Sequence, residues 1–329
     1  MMKYIVGTIL NMLLLVSCLE TSPSKGEVPF DALYGSLDTV GTEANGVKSI
    51  AGITLTGLRF SKSKMKQLEA NSMKMEKLYI QFPDSLSILL MYARSLDMKG
   101  AYLPARAVYE IGARKFPNTP EILQYKGLNE ILTRDFRAAI RDLQTAVFNN
   151  QKKAIHPDAY QNQDWVKASA QFYTWYYLGL AYYFNRNYDS AISSFKKCVS
   201  YADTDDDLMV IPFFWLYNIY EEIGNQEAAQ GFLKDIDTNM LIINSKDYYR
   251  GLLLFKGVFK PDRLTRFTID KNNKVLHPLQ AYALIRWYQK NGREEDAKSM
   301  TQLLIASNEW NDLGYIACEV DLFTNQNLN

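Results

Sequence analysis

The chain has 329 residues, with 37 Lys plus Arg against 36 Asp plus Glu and 47% hydrophobic residues. So neutral a balance excludes the electrostatic steering that nucleic-acid binding needs, and no basic run offsets it. Two His and three Cys without a CxxC pair exclude the usual zinc ligand sets and leave little acid–base chemistry near neutral pH.

Residues 1–17 open with one cation, Lys3, and continue as an apolar run, Ile5 to Val16, too short to span a bilayer. They read as a signal peptide. Leu15-Val16-Ser17-Cys18 resembles the lipobox of bacterial lipoproteins. That resemblance implies that Cys18 becomes the new N-terminus and carries lipid, palmitate included, at the membrane of the cell envelope. Leu19, standing where Asp would hold such a protein at the inner membrane, implies the outer one. Residues 18–29 are rich in Ser, Pro, Gly and charge and read as a tether. Residues 30–60 are expected to form an extended N-terminal arm, because Gly52, Thr54, Thr56 and Gly57 disfavour a stable helix.

From Lys62 the pattern is helical. Lys62 to Phe82 reads as one helix stopped by Pro83, and Pro83 and Pro117 stand 34 apart. A unit over Leu86–Pro117 carries Leu89, Ala93 and Leu96 on its first helix, a turn at Gly100, and Ala105, Tyr109 and Gly112 on its second. In the next unit, Pro120–Asn150, Lys126 and Glu130 replace expected apolar residues. Residues 151–167 read as a loop inserted on one side. Then come Trp175, Leu178, Gly179 and Tyr182 at helical spacing, a break at Asn185-Arg186-Asn187, and Ala191, Phe195 and Cys198. Tyr201 to Asp207 has alternating carboxylates but lacks the glycine and glutamate of a calcium loop, so it reads as a solvated helix cap. Further units are expected over Pro212–Asp237, over 245–270 in degraded form with Pro261 and a part hairpin, and over Leu279–Ser307. Trp310–Phe323 is expected to be an amphipathic closing helix.

This pattern, clearest from Trp175 to Cys198, resembles the tetratricopeptide (TPR) repeat of roughly 34 residues. The resemblance implies an all-α fold: a TPR-type α-α solenoid over 62–329, wound as a right-handed superhelix of helix pairs with a C-terminal capping helix. In that family the first helix of each unit lines a groove. Carried onto this chain, the groove positions are Tyr173, Tyr176, Leu180, Tyr183, Phe184, Phe214, Asn218, Tyr248, Tyr282 and Arg286, together with Leu90, Arg94, Gln124, Leu128 and Leu252. Their aromatic character suits a protein or peptide partner, unless curvature or another segment buries the stripe. Neither a Gly-rich phosphate loop nor GxSxG nor HExxH occurs, so no catalytic residues, metal or cofactor are expected. The expected role is a non-enzymatic, protein-binding lipoprotein scaffold of the bacterial envelope. The alternative is a ligand-binding accessory lipoprotein of a transport system, holding a glycan or small hydrophobic solute, as in TPR lipoproteins paired with solute transporters and the longer SusD-like glycan binders. Cys198 and Cys318 fall on apolar helix faces and read as buried free thiols.

Overall fold

From Lys62 onward helix follows helix, and most starts have a local cause. Ser61 caps α1 (Lys62–Gln81) by accepting from the Lys64 amide, and the chain turns at Pro83. Ser85 caps α2 (Leu86–Met98), and Pro120 stands in the first turn of α4 (Pro120–Leu132), where its missing N–H costs nothing. Between them lies α3 (Tyr102–Lys115), and beyond them α5 (Phe136–Lys152), α6 (Asp164–Phe184) and α7 (Tyr188–Ala202). Asp205 caps α8 (Asp206–Glu222) through the Leu208 amide at 3.1 Å, and Asn225 caps α9 (Gln226–Lys234) through Ala228. The series continues with α10 (Lys246–Phe255), α11 (Pro261–Thr268), α12 (Pro278–Lys290), α13 (Glu294–Ala306) and α14 (Leu313–Leu328).

This computed structural model describes residues 39–41, 46–55, 57–152, 164–202, 205–270, 275–307 and 309–328. The expected signal peptide, Cys18, the expected tether, most of residues 30–45 and residues 153–163 of the insert lie outside them. Within the arm, β1 (Thr39–Gly41) pairs antiparallel with β2 (Arg59–Ser61), and Val47 and Leu58 are buried. A second two-stranded ribbon joins β3 (Ile269–Asp270) to β4 (Val275–Leu276).

The architecture is an all-α, TPR-type solenoid. Helices pair as α2/α3, α4/α5, α6/α7, α8/α9, α10/α11 and α12/α13, with α1 before and α14 after. First helices of successive units also touch (α2–α4, α4–α6, α8–α10, α10–α12), which builds one inner wall. Small residues set the pair distances. A Cβ at Gly179 would come within 2.7 Å of Phe195, and one at Gly127 within 2.5 Å of Leu143. Lys126 and Glu130, in apolar slots, are reconciled by pairing with each other at 2.6 Å and by Lys126 reaching Asp142.

Several boundaries differ from expectation. The helix after the acidic cap starts at Asp206, as a cap there implies, so the unit begins ahead of Pro212, which sits inside α8. The second half of the degraded unit keeps a helix, α11, which starts at Pro261, and the expected hairpin follows it. Residues 164–167 of the expected loop belong to α6. The acidic run does more than cap: Asp207 accepts from the Ile243, Asn244 and Ser245 amides and so pins the loop before α10. Burial alone would raise its pKa, but these donors hold it below the usual carboxylate range. Cys198 and Cys318 are buried free thiols. No helix among the described residues is long and apolar enough to cross a membrane.

Candidate functional site

The inner wall carries the expected stripe, but the chain itself covers it. Leu180, Phe214 and Tyr282 are fully buried, Asn218 is 1% exposed, and Tyr176, Phe184 and Tyr183 lie between 3% and 4%. Tyr173, Tyr248 and Arg286 are half-buried. An open aromatic groove is therefore corrected to a packed one. Of the other groove positions, Arg94 is exposed, Leu90 and Leu128 are half-buried, and Gln124 and Leu252 are buried.

Part of the cover is the next unit. The hydroxyls of Tyr176 and Tyr248 meet at 2.6 Å, joining α6 to α10. Gly251 lets the Phe214 ring approach, since a Cβ there would stand 2.7 Å from it. The rest is α14. This helix packs on α12 and α13, as a cap does, but residues 314–320 are all buried, because it also reaches α6 across the inner face. Its start is tight against α12, where a Cβ at Gly314 would lie 2.5 Å from Leu279 backbone.

Polar contacts fix the register of α14. The Tyr282 hydroxyl donates to Asp321 at 2.8 Å and receives from Tyr183 at 2.6 Å. Asp321 and Glu222 alternate with two guanidiniums in a closed ring. Arg186 reaches Glu222 at 2.8 Å and Asp321 at 3.1 Å, and Arg286 reaches Glu222 at 2.7 Å and Asp321 at 3.4 Å. The ring ties the α6–α7 turn, the end of α8, the middle of α12 and α14 together. Burial pushes both carboxyls up. At Glu222 the Arg286 and Arg186 charges outweigh it, whereas at the more deeply set Asp321 burial wins.

A second grip holds Glu319, two residues before Asp321. Arg134 donates to Glu319 at 2.9 Å and to the Trp310 carbonyl at 2.7 Å, and Glu319 also accepts from the Ile50 amide at 2.9 Å. Asn311 donates to the Tyr102 hydroxyl at 3.1 Å, and Trp310 packs edge-on to that ring.

Arg134 and Arg186 share an unusual position. The turns inside the six units each contain one residue with positive φ: Gly100, Arg134, Arg186, Gly224, Gly257 and Gly292. Four are glycine, which adopts this conformation freely. The two that are not are the two whose side chains hold α14.

Next to the ring a cavity of about 410 Å³ stays open between α8, α12 and α14. Asn218 forms part of its lining, with Tyr217 stacked on Phe255 at 4.3 Å and Trp287 beside them. Lys290 pairs with Glu221 at 2.6 Å at its edge. On another face, half-buried Trp175 and Tyr182 line a shallower depression with Val147 and Ser194.

The tetratricopeptide repeat family model matches residues 172–205. The matched stretch is α6 from Phe172 on, α7 and the cap of α8, the unit whose inner side carries Tyr176 and Tyr183. TPR geometry puts the first helix of this unit on the inner wall, where α6 is seen. No curated protein sequence matches the chain.

Of the groove positions inferred from the repeat pattern, the structure brings Tyr183, Tyr282 and Arg286 into one network, with Asn218 beside it. Tyr176, Tyr248 and Phe214 form a neighbouring cluster, joined to that network through Trp215, on which Phe184 also packs. Sequence reasoning missed Arg134, Arg186, Glu222, Glu319 and Asp321. A signal was there for one of them: Arg134 stands 34 residues after Gly100, in the slot glycine fills in four other units.

Proposed function

We propose that this chain is a non-enzymatic scaffold lipoprotein of the bacterial cell envelope, anchored through lipid on Cys18, whose inner face binds a helical segment of a protein partner. TPR repeats commonly mediate protein–protein contact. The observation that supports this reading is the seat of α14. Tyrosine hydroxyls and paired arginines on the inner wall receive an amphipathic helix through its carboxylates, the helix-in-groove mode of recognition. A partner helix that takes the place of α14 and turns an acid toward Arg186 and Arg286, as Asp321 does, presents the same chemistry. The leader sequence supports the anchor, with the outer membrane favoured by Leu19.

The test is site-specific photocrosslinking in cells from Gln289, at the cavity edge, with Lys196 on an outer surface as the control position. A discrete adduct with one envelope protein from Gln289 alone supports the scaffold, and identical patterns from both positions refute it. Fractionation of Cys18→Ala checks the anchor separately, since retention in the membrane fraction after leader cleavage removes lipidation from the account.

The solute-binding alternative has an observation of its own, the open cavity beside the charge ring.

A further inference from the structure

The cavity between α8, α12 and α14 has the volume of a small-molecule site. Three features of its wall restrict what fits. First, its charges cancel. Arg186, Arg286 and Lys290 face Glu222, Asp321 and Glu221, and each lies within 3.4 Å of an opposite partner. A charged ligand meets no net field and has to break a pair to gain one of its own. A neutral ligand keeps every pair.

Second, the ring retains hydrogen-bonding capacity. Each guanidinium has five N–H donors and each carboxylate about four acceptor sites, and the ring's ion pairs occupy only some of them. Hydroxyl groups, which both donate and accept, match such a wall. Third, Asn218 is 1% exposed, and its Nδ2 donates to the Phe214 carbonyl at 2.8 Å. Among the described residues no donor reaches its Oδ1. A buried acceptor left in that state carries an uncompensated desolvation cost. A ligand hydroxyl donating to it recovers that cost. Half-buried Trp287 and Phe255 add flat apolar surface beside these polar groups. A pyranose has this division, with C–H groups on its faces and hydroxyls around its edge.

We propose that this cavity is a binding site for a neutral saccharide, one or two rings in size, which stacks on Trp287 and donates one hydroxyl to Asn218. The site takes the solute-binding reading down to a ligand class. It is independent of partner capture, so crosslinking and saccharide binding succeed or fail separately.

The experiment is calorimetric titration of the full chain in detergent with neutral mono- and disaccharides (glucose, galactose, N-acetylglucosamine, maltose, cellobiose). Glucuronate, glutamate and lysine serve as charged counterparts. Saturable binding of a neutral sugar is expected, weakened about tenfold or more in Trp287→Ala and in Asn218→Ala, with the charged compounds silent. Should Asn218→Ala fail to fold, Trp287→Ala carries the test, because that side chain is only half-buried. Glucuronate or an amino acid binding where neutral sugars do not, sugar binding untouched by Trp287→Ala, or silence of all neutral sugars at millimolar concentration each overturns the proposal.

Discussion

Arg134 and Arg186 hold φ of 65° and 61°, a conformation that costs a residue with a Cβ about 1–2 kcal/mol. Glycine would remove that cost, yet the structure shows what it would forfeit. Arg134 and Glu319 are nearly buried, and stranding such a carboxylate costs about 3–5 kcal/mol. The loss outweighs the relief, so Arg134→Gly is expected to destabilise by about 1–4 kcal/mol in urea denaturation. Adding Glu319→Gln should return most of it, and a double variant no better than the single would break the argument. Glycines divide in the same way. A Cβ at Gly179 meets Phe195 at 2.7 Å, so Gly179→Ala should lose about 1–3 kcal/mol. Helical Gly231 has nothing within 4 Å, so Gly231→Ala should gain about 0.5–1 kcal/mol, read as a higher melting temperature. Buried acids make stability depend on pH. Burial raises Asp97 and Asp312 from 3.8 to about 7 and Glu130 from 4.5 to about 7, in Asp97 against hydrogen bonds from Tyr109 and Asn129. The fold therefore binds more protons than the open chain between about pH 4 and 7, and stability falls as pH rises through that window. Glu222 and Asp247 are shifted down, so what they contribute is lost only on further acidification. Melting temperature should peak in mild acid, and Asp97→Asn should flatten its decline toward pH 8.

Among the elements, α14 decides how the inner face is used. Most other helices were legible because their causes are local: apolar spacing, a capping Ser or Asp, a proline in the first turn, and glycines about 34 residues apart. The same reasoning placed Tyr183, Tyr282 and Arg286 on one wall. It missed what lies against them, because α14 comes from well beyond the central unit and pairing over such separations leaves no periodic trace. Composition misled too. Glu319 and Asp321 look like the solvated side of a cap, and only Arg134, Arg186 and Arg286 reveal them as inward-facing. Deleting residues 308–329 uncovers Leu279, Tyr282 and Tyr183. The shortened chain should show faster amide exchange in α6 and α12, and a synthetic peptide of residues 309–329 should slow it again. A peptide without effect would mean that α14 is held by the covalent chain and not by its seat.

In the molecule as a whole, α14 changes how a repeat array responds to stress. An open solenoid is held by contacts between neighbouring repeats and unravels in parts. Here residues 310–321 join the second helix pair, the third and the last, so distant units lose their partners together. Urea unfolding of the array is expected to be one steep transition. Arg134→Ala combined with Arg186→Ala should broaden or split it and lower the m-value of the first phase. If that double variant unfolds as sharply as the parent, the bridge is not what couples the repeats. Glu319 has one further mechanical consequence. One of its oxygens accepts from the Ile50 amide and the other from Arg134. Tension applied at the N-terminal end loads the β1–β2 ribbon first, and once β1 has peeled away it travels on to residue 50 and this carboxylate. After that ribbon the clasp on the closing helix is next in line, so a pull on the amino end opens the inner wall before the helix pairs come apart.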